Sequence, residues 1–173
     1  MRNDKARIVS FVAAASNSGK TTLIEKIIPL LKARGLRVAV VKHAHAGFEA
    51  ERPGKDSWRF REAGADRVLL IGPDGSILTA TPQAEPHAAF ESLTRDFDLV
   101  IQEGFKRTAQ NKIEVFRTGV SGEQPLCMTD PSILALVSDA PFATTIPRFD
   151  INDISGITAY LIANFIDRSP SGA

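Results

Sequence analysis

The chain has one cysteine, Cys127, and three histidines among its 173 residues. An internal disulfide is excluded, and too few soft ligands remain for a structural zinc site. It also lacks a surplus of either charge. Lys and Arg number 21 against 20 Asp and Glu, a formal net charge of +1, so the broad basic footprint of a nucleic-acid or anionic-membrane binder is missing. Any anion binding must therefore be local. No run of about 18 apolar residues occurs, so no membrane-spanning helix is expected. The N-terminus sets charge ahead of an apolar stretch, as a secretion signal does, but the stretch is short and enters a Gly-Lys turn that cleavage would destroy. A reducing cytoplasm is the expected location. The length suits one domain over 1–173, with 1–6 and 168–173 expected to be flexible ends.

What the chain does have is a stretch at 7–23, RIVSFVAAASNSGKTTL, in which an apolar run enters a small-residue turn and leaves it as Gly-Lys-Thr-Thr. This spacing is that of a phosphate-binding loop, Gly-x-x-x-x-Gly-Lys-Ser/Thr between a strand and a helix, where backbone N–H groups and the helix dipole favour an anion. The nucleotide-binding residues are then Ser16, Asn17, Ser18, Gly19, Lys20, Thr21 and Thr22. Lys20 reaches the β- and γ-phosphates and the Thr21 hydroxyl sits on Mg²⁺. Ala14 stands where the first Gly is usual. Its methyl costs little if φ there stays negative.

Leu23, Ile24, Ile27, Ile28 and Leu31 recur at helical spacing up to Gly35, with Pro29 predicting a kink or an early end. RVAVV at 37–41 is a buried strand, and strand, helix and strand in this order imply a parallel right-handed crossover, hence an α/β fold. Charged groups beyond strand carboxyl ends are candidates for function in such a sheet. Lys42, His43 and His45 stand there, followed by Lys55 and Asp56 ahead of a helix that Gly64 closes, for which Asp56 or Ser57 is a natural cap. Segments 67–71 and 76–80 flank Gly-Pro-Asp-Gly and predict an antiparallel hairpin. A helix is expected around 87–95, strands at 111–117 and 133–137, and a closing amphipathic helix at 152–167.

DLVIQEGFK at 98–106 reads as a strand ending in an acid, a glycine and a base. In phosphate-loop proteins the strand beside the first delivers a carboxylate to Mg²⁺, directly or through water, and Glu103 is placed for that. Gly104 lets the backbone approach the γ-phosphate and Lys106 offsets charge there. Asn-Lys-Ile-Glu at 111–114 resembles a guanine-binding motif only superficially, because it falls at a strand start. Asp139, at the carboxyl end of 133–137, is the acid that can accept guanine N–H groups, although a turn-forming role serves it equally well.

Ser16-Asn17-Ser18-Gly19-Lys20-Thr21-Thr22, Lys42-His43 with His45, Pro53-Gly54-Lys55-Asp56-Ser57 and Glu103-Gly104-Phe105-Lys106 together resemble the MobB proteins of molybdopterin-guanine dinucleotide biosynthesis, over nearly the whole chain. The resemblance implies a three-layer phosphate-loop NTPase fold, mostly parallel with the hairpin as an excursion. It also implies a homodimer that binds GTP with Mg²⁺, hydrolyses it slowly, and assists a guanylyltransferase joining GMP to molybdopterin. Lys20 and Glu103 are then the catalytic pair, Thr21 and Glu103 the metal side, and Lys42, His43, His45, Lys55, Asp56 and Lys106 the substrate or partner loops. Two other classes suit the same loop. A small-molecule kinase needs an Arg-rich lid, for which Arg59 and Arg61 are the near candidates. A nucleotide-gated binding module needs no hydrolysis at all.

Overall fold

The apolar run RIVSFV forms strand β1 (Arg7–Val12), and the chain turns from it into helix α1 (Lys20–Ala33). Strand β2 (Val38–Lys42) follows. Further on come β5 (Leu99–Glu103), β6 (Lys112–Phe116), β7 (Ile133–Ser138) and β8 (Arg148–Asp150). These six strands form one sheet in the order β2-β5-β1-β6-β7-β8, and every pairing in it is parallel. All six carboxyl ends therefore lie along one edge. The computed structural model describes residues 7–42, 54–65, 67–80 and 95–167. The chain divides into two compact units: this sheet with its helices, spanning Met1–His43 and Leu93–Ala173, and a second unit, Ala44–Ser92.

The core follows from the period-two alternation of the strands. Val9 and Phe11, Leu99 and Ile101, Ile113 and Val115, and Ala135 and Val137 share one cluster with Leu23, Ile24, Ile27 and Leu31 of α1. The alternate positions Val100, Phe116 and Leu136 are also buried, as expected of a parallel sheet covered on both faces. Each wholly buried Leu or Ile contributes roughly 1.5–3 kcal/mol. The closing helix α3 (Ile154–Leu161) packs Ile157 and Leu161 into the same cluster as α1. The Asp153 side chain caps it by accepting the Gly156 N–H at 2.9 Å. A π-helical turn, Ile162–Ile166, continues it and buries Phe165, so the expected helix over 152–167 is there with its last turn widened.

Pro29 does not end α1, which runs four residues further. Pro29 is exposed, so its missing N–H disturbs no buried contact. The helix stops where the sequence indicates. The Gly35 N–H bonds the Lys32 carbonyl at 2.9 Å and the Leu36 N–H the Leu31 carbonyl at 3.4 Å, a Schellman closure that needs Gly35 at φ 76°. Strand β8 was not expected; three residues, RFD, carry too little pattern to signal it.

The second unit contains α2 (Asp56–Glu62) and the hairpin of β3 (Arg67–Gly72) and β4 (Gly75–Ala80). The Arg59 N–H bonds the Lys55 carbonyl. Lys55 is therefore the capping position and Asp56 opens the helix, where its charge suits the dipole. The hairpin forms a two-stranded sheet of its own rather than an edge of the main one. The helix expected around 87–95 lies outside the described residues except at Arg95, which with Asp96 is helical.

Candidate functional site

The turn between β1 and α1 has the geometry that its spacing predicts. Gly19 sits at φ 90° as the residue before the helix, and Asn17 also takes a left-handed φ of 61°. Asn17 and Phe105 are the two non-Gly residues with positive φ among those described. Ala14 thus keeps a negative φ, and its methyl is accommodated. Gly19 precedes α1 and brings no side-chain cap, and the first turn has no acid, so the helix presents its positive end without a carboxylate of its own. Ser18 is buried and donates to the Ala15 carbonyl at 3.2 Å. The Lys20 ammonium donates to Ser18 Oγ at 3.2 Å and to the Ala15 carbonyl at 3.4 Å. Burial lowers the Lys20 pKa, Glu103 opposes the shift, and Lys42 and Lys106 add to it. Ser16, Thr21 and Thr22 are exposed.

Strand register brings the other charges to this loop. Phe11 of β1 and Lys42 of β2 both pair with Glu103 of β5. One step back, Ser10 donates to Gln102 Oε1 at 2.6 Å in the interior, which ties β1 to β5 immediately before the site. Glu103 Oε1 then accepts the Thr21 hydroxyl at 2.9 Å and faces the Lys42 ammonium at 3.3 Å. After Glu103 the chain leaves the sheet through two successive left-handed residues, Gly104 at φ 99° and Phe105 at φ 59°. A bulky side chain at such a φ costs about 1–3 kcal/mol and persists only where its surroundings impose it. Here the Gly104 N–H bonds the Phe11 carbonyl at 3.0 Å, and the Phe105 carbonyl accepts from Thr108 and Ala109. Lys106, exposed beyond this turn, is close enough for its charge to act on Lys20.

On the other side of β1 the register pairs Phe116 with Ser138 and Ser138 with Asp150, so Arg117, Asp139 and Ile151 follow at adjacent strand ends. Asp139 Oδ1 accepts the Thr118 N–H at 2.9 Å and the Thr118 hydroxyl at 3.0 Å. These bonds, the backbone one first, hold its carboxyl below the usual range. Asp139 Oδ2 stands 3.9 Å from Arg117 Nε. A Cβ placed on Gly19 would lie 4.0 Å from Arg117 Nη1 and 3.8 Å from Ile151 Cδ1, so the guanidinium reaches the phosphate loop itself. In the sequence Arg117 is marked only by its place at the end of the strand expected at 111–117.

Asn-Lys-Ile-Glu is structural. Lys112 is buried and pairs with Asp130 at 2.9 Å. Glu114 is fully buried, and its two oxygens accept the Leu126 and Cys127 N–H groups at 2.7 and 2.8 Å. Burial raises the Glu114 pKa against those two bonds. Burial and the Glu114 charge push the Cys127 thiol up to about 11, which makes it a poor nucleophile.

His43 and His45 lie outside the described residues, while Lys55 and Asp56 belong to the second unit. Asp56 is engaged there by Arg59 at 3.7 Å. No cluster of three or more His, Cys, Asp or Glu suited to a metal occurs among the described residues. No helix among them is long and apolar enough to cross a membrane.

Comparison with known proteins places these features in context. A family model, Molybdopterin guanine dinucleotide synthesis protein B, matches residues 8–139. The molybdopterin-guanine dinucleotide biosynthesis adapter protein of Escherichia coli (strain K12) is 36% identical over 155 residues, covering 87% of this chain and 89% of its own. That of Haemophilus influenzae is 37% identical over 156 residues, covering 87% and 85%. The crystal structure of a molybdopterin-guanine biosynthesis protein B superposes with a TM-score of 0.70 at 30% identity, covering 90% of this chain and 97% of that one.

Proposed function

The chain belongs to the MobB family, and on that premise we propose that it is a GTP-binding adapter in molybdopterin guanine dinucleotide biosynthesis. It takes GTP with Mg²⁺ and assists the guanylyltransferase that joins GMP to molybdopterin. The observation that carries the nucleotide reading is the 2.9 Å bond from the Thr21 hydroxyl to Glu103 Oε1. It joins the first turn of α1 to the end of β5, where a phosphate-loop protein holds its metal. A hydroxyl and a carboxylate suit a hard cation that keeps most of its waters and takes phosphate oxygens. Thr21 and Glu103 would hold Mg²⁺, which when bound neutralises charge on the β- and γ-phosphates. Lys20, held by loop oxygens at 3.2 and 3.4 Å, exchanges these contacts for charge-assisted bonds to phosphate. Gly19, Gly104 and the loop amides of 16–22 wrap the anion, and Asp139 reads the base.

Slow hydrolysis fits the state of Glu103. Its Oε1 already meets a hydroxyl and an ammonium, so it serves to position charge rather than to accept a proton from water. Lys42 and Lys106 then flank the γ-phosphate side where a partner engages. Homodimer formation is part of the proposal. The hairpin supports it by exposing Leu69, Leu70, Ile71, Ile77 and Leu78, each at least 39% exposed, since apolar patches of this kind mark interfaces. A monomer mass in sedimentation at micromolar concentration would exclude the dimer.

Calorimetry on Lys20→Ala tests the site. Nucleotide affinity should fall tenfold or more, on the order of 1.4 kcal/mol. Unchanged affinity would remove the phosphate loop from the function.

A further inference from the structure

We propose that Arg117, whose guanidinium lies at the mouth of the loop beside Asp139, contacts the phosphates of the bound nucleotide. This inference rests on the nucleotide reading of the same site. Strand order places Arg117 there: β6 lies directly beside β1, so the first residue past β6 emerges next to the turn that follows β1. Its Nη1 lies 4.0 Å from the position of a Cβ on Gly19, the residue whose backbone opens α1.

Electrostatics favours an anion between them. The guanidinium stands beside a helix N-terminus with no acidic residue in its first turn and no side-chain cap, and Lys20 is the next residue. Three sources of positive potential thus converge, against the one carboxylate of Glu103 that meets the Thr21 hydroxyl. The carboxylate that faces Arg117 is partly committed, since Asp139 Oδ1 carries both Thr118 bonds. Oδ2 is 3.9 Å from Arg117 Nε, longer than a hydrogen bond. Asp139 therefore draws the guanidinium to one side without saturating it. Half of the Arg117 side chain remains exposed, leaving Nη donors for phosphate oxygens, which guanidinium groups bind in fork geometry. The plain alternative is a surface ion pair with Asp139. At this separation and exposure such a pair is worth little, and it does not account for the approach to Gly19.

Inorganic tripolyphosphate, which has no base, separates a phosphate contact from a base contact. Binding of tripolyphosphate and of GTP to the full chain, each with Mg²⁺, is measured for the wild type, Arg117→Met, Arg117→Lys and Lys20→Ala, with thermal denaturation to verify folding. Arg117→Met should weaken both ligands by a similar factor, about tenfold, and Arg117→Lys should restore part of the loss for both. Unchanged binding of both ligands by Arg117→Met overturns the proposal. A loss confined to GTP also overturns it, because it assigns Arg117 to the base. If the wild type binds neither ligand, or Lys20→Ala leaves both unaffected, the underlying nucleotide reading fails instead. Should Arg117→Met fold poorly, the lysine variant decides: wild-type affinity for tripolyphosphate combined with loss for GTP refutes the phosphate contact.

Discussion

The ratio of GTP to ATP affinity in Asp139→Asn separates base recognition from the phosphate contacts of the site. In the folded chain the two carboxylate oxygens have separate tasks. Oδ1 accepts the Thr118 N–H and hydroxyl at 2.9 and 3.0 Å, while Oδ2 stands 3.9 Å from Arg117 Nε. Asparagine can keep its carbonyl oxygen in the Oδ1 position and retain both Thr118 bonds, which turns its amide nitrogen toward the Oδ2 side. The cost to folding is then the weak, exposed attraction to Arg117, about 0–1 kcal/mol, or a fall in Tm of at most a few degrees. The cost to guanine is larger, because guanine offers N1–H and a 2-amino group and the variant presents a donor in return. An unmade bond of that kind costs about 1–3 kcal/mol, roughly 5- to 150-fold in affinity. Adenine has no such donor pair, so ATP binding should barely change. Competition binding of GTP and ATP to both proteins gives the quantity that matters, the ratio of the two affinities. Release of Arg117 would move both nucleotides together and leave that ratio constant. A ratio unaltered by Asp139→Asn refutes base reading by this carboxylate, and a wild type that prefers ATP refutes the GTP assignment.

The remaining expectations concern the metal and the buried acid. Thr21→Ala removes the hydroxyl that meets Glu103; the gain in GTP affinity on adding Mg²⁺ should shrink by about tenfold, and a full gain retained by the variant would place the metal elsewhere. Glu114→Gln can satisfy only one of the Leu126 and Cys127 N–H groups with its single oxygen and should destabilise the fold by about 1–3 kcal/mol in urea unfolding. The raised Glu114 pKa also fixes the sign of a pH effect. The folded chain holds this proton at pH values where the unfolded chain has lost it, so the contribution is full below about pH 4.3 and is lost as pH rises through the folded pKa. The stability advantage of the wild type over Glu114→Gln should therefore widen from neutral pH toward pH 4.5, and a gap that narrows in acid would contradict the burial argument.

Features that depend on local chemistry are legible in the residues alone. The 14–21 spacing specified a loop in which Gly19 takes a left-handed φ that a side chain would strain. Periodicity specified α1 and its buried face, and it located five of the six sheet strands. Glu103 was legible as a strand-end acid because a buried run that stops in Glu-Gly has few other readings. The other features arise from long-range packing. Pro29 was tolerated because it faces outward, and solvent exposure is not written in a helical period. Glu114 became an interior acceptor for the turn at Leu126–Met128 because folding brought two unpaired N–H groups to its two oxygens. Arg117 reached Gly19 because β6, distant in sequence, is the neighbour of β1. Strand order is fixed by how helices cover both faces of a parallel sheet, a balance over the whole core that no short window of sequence contains.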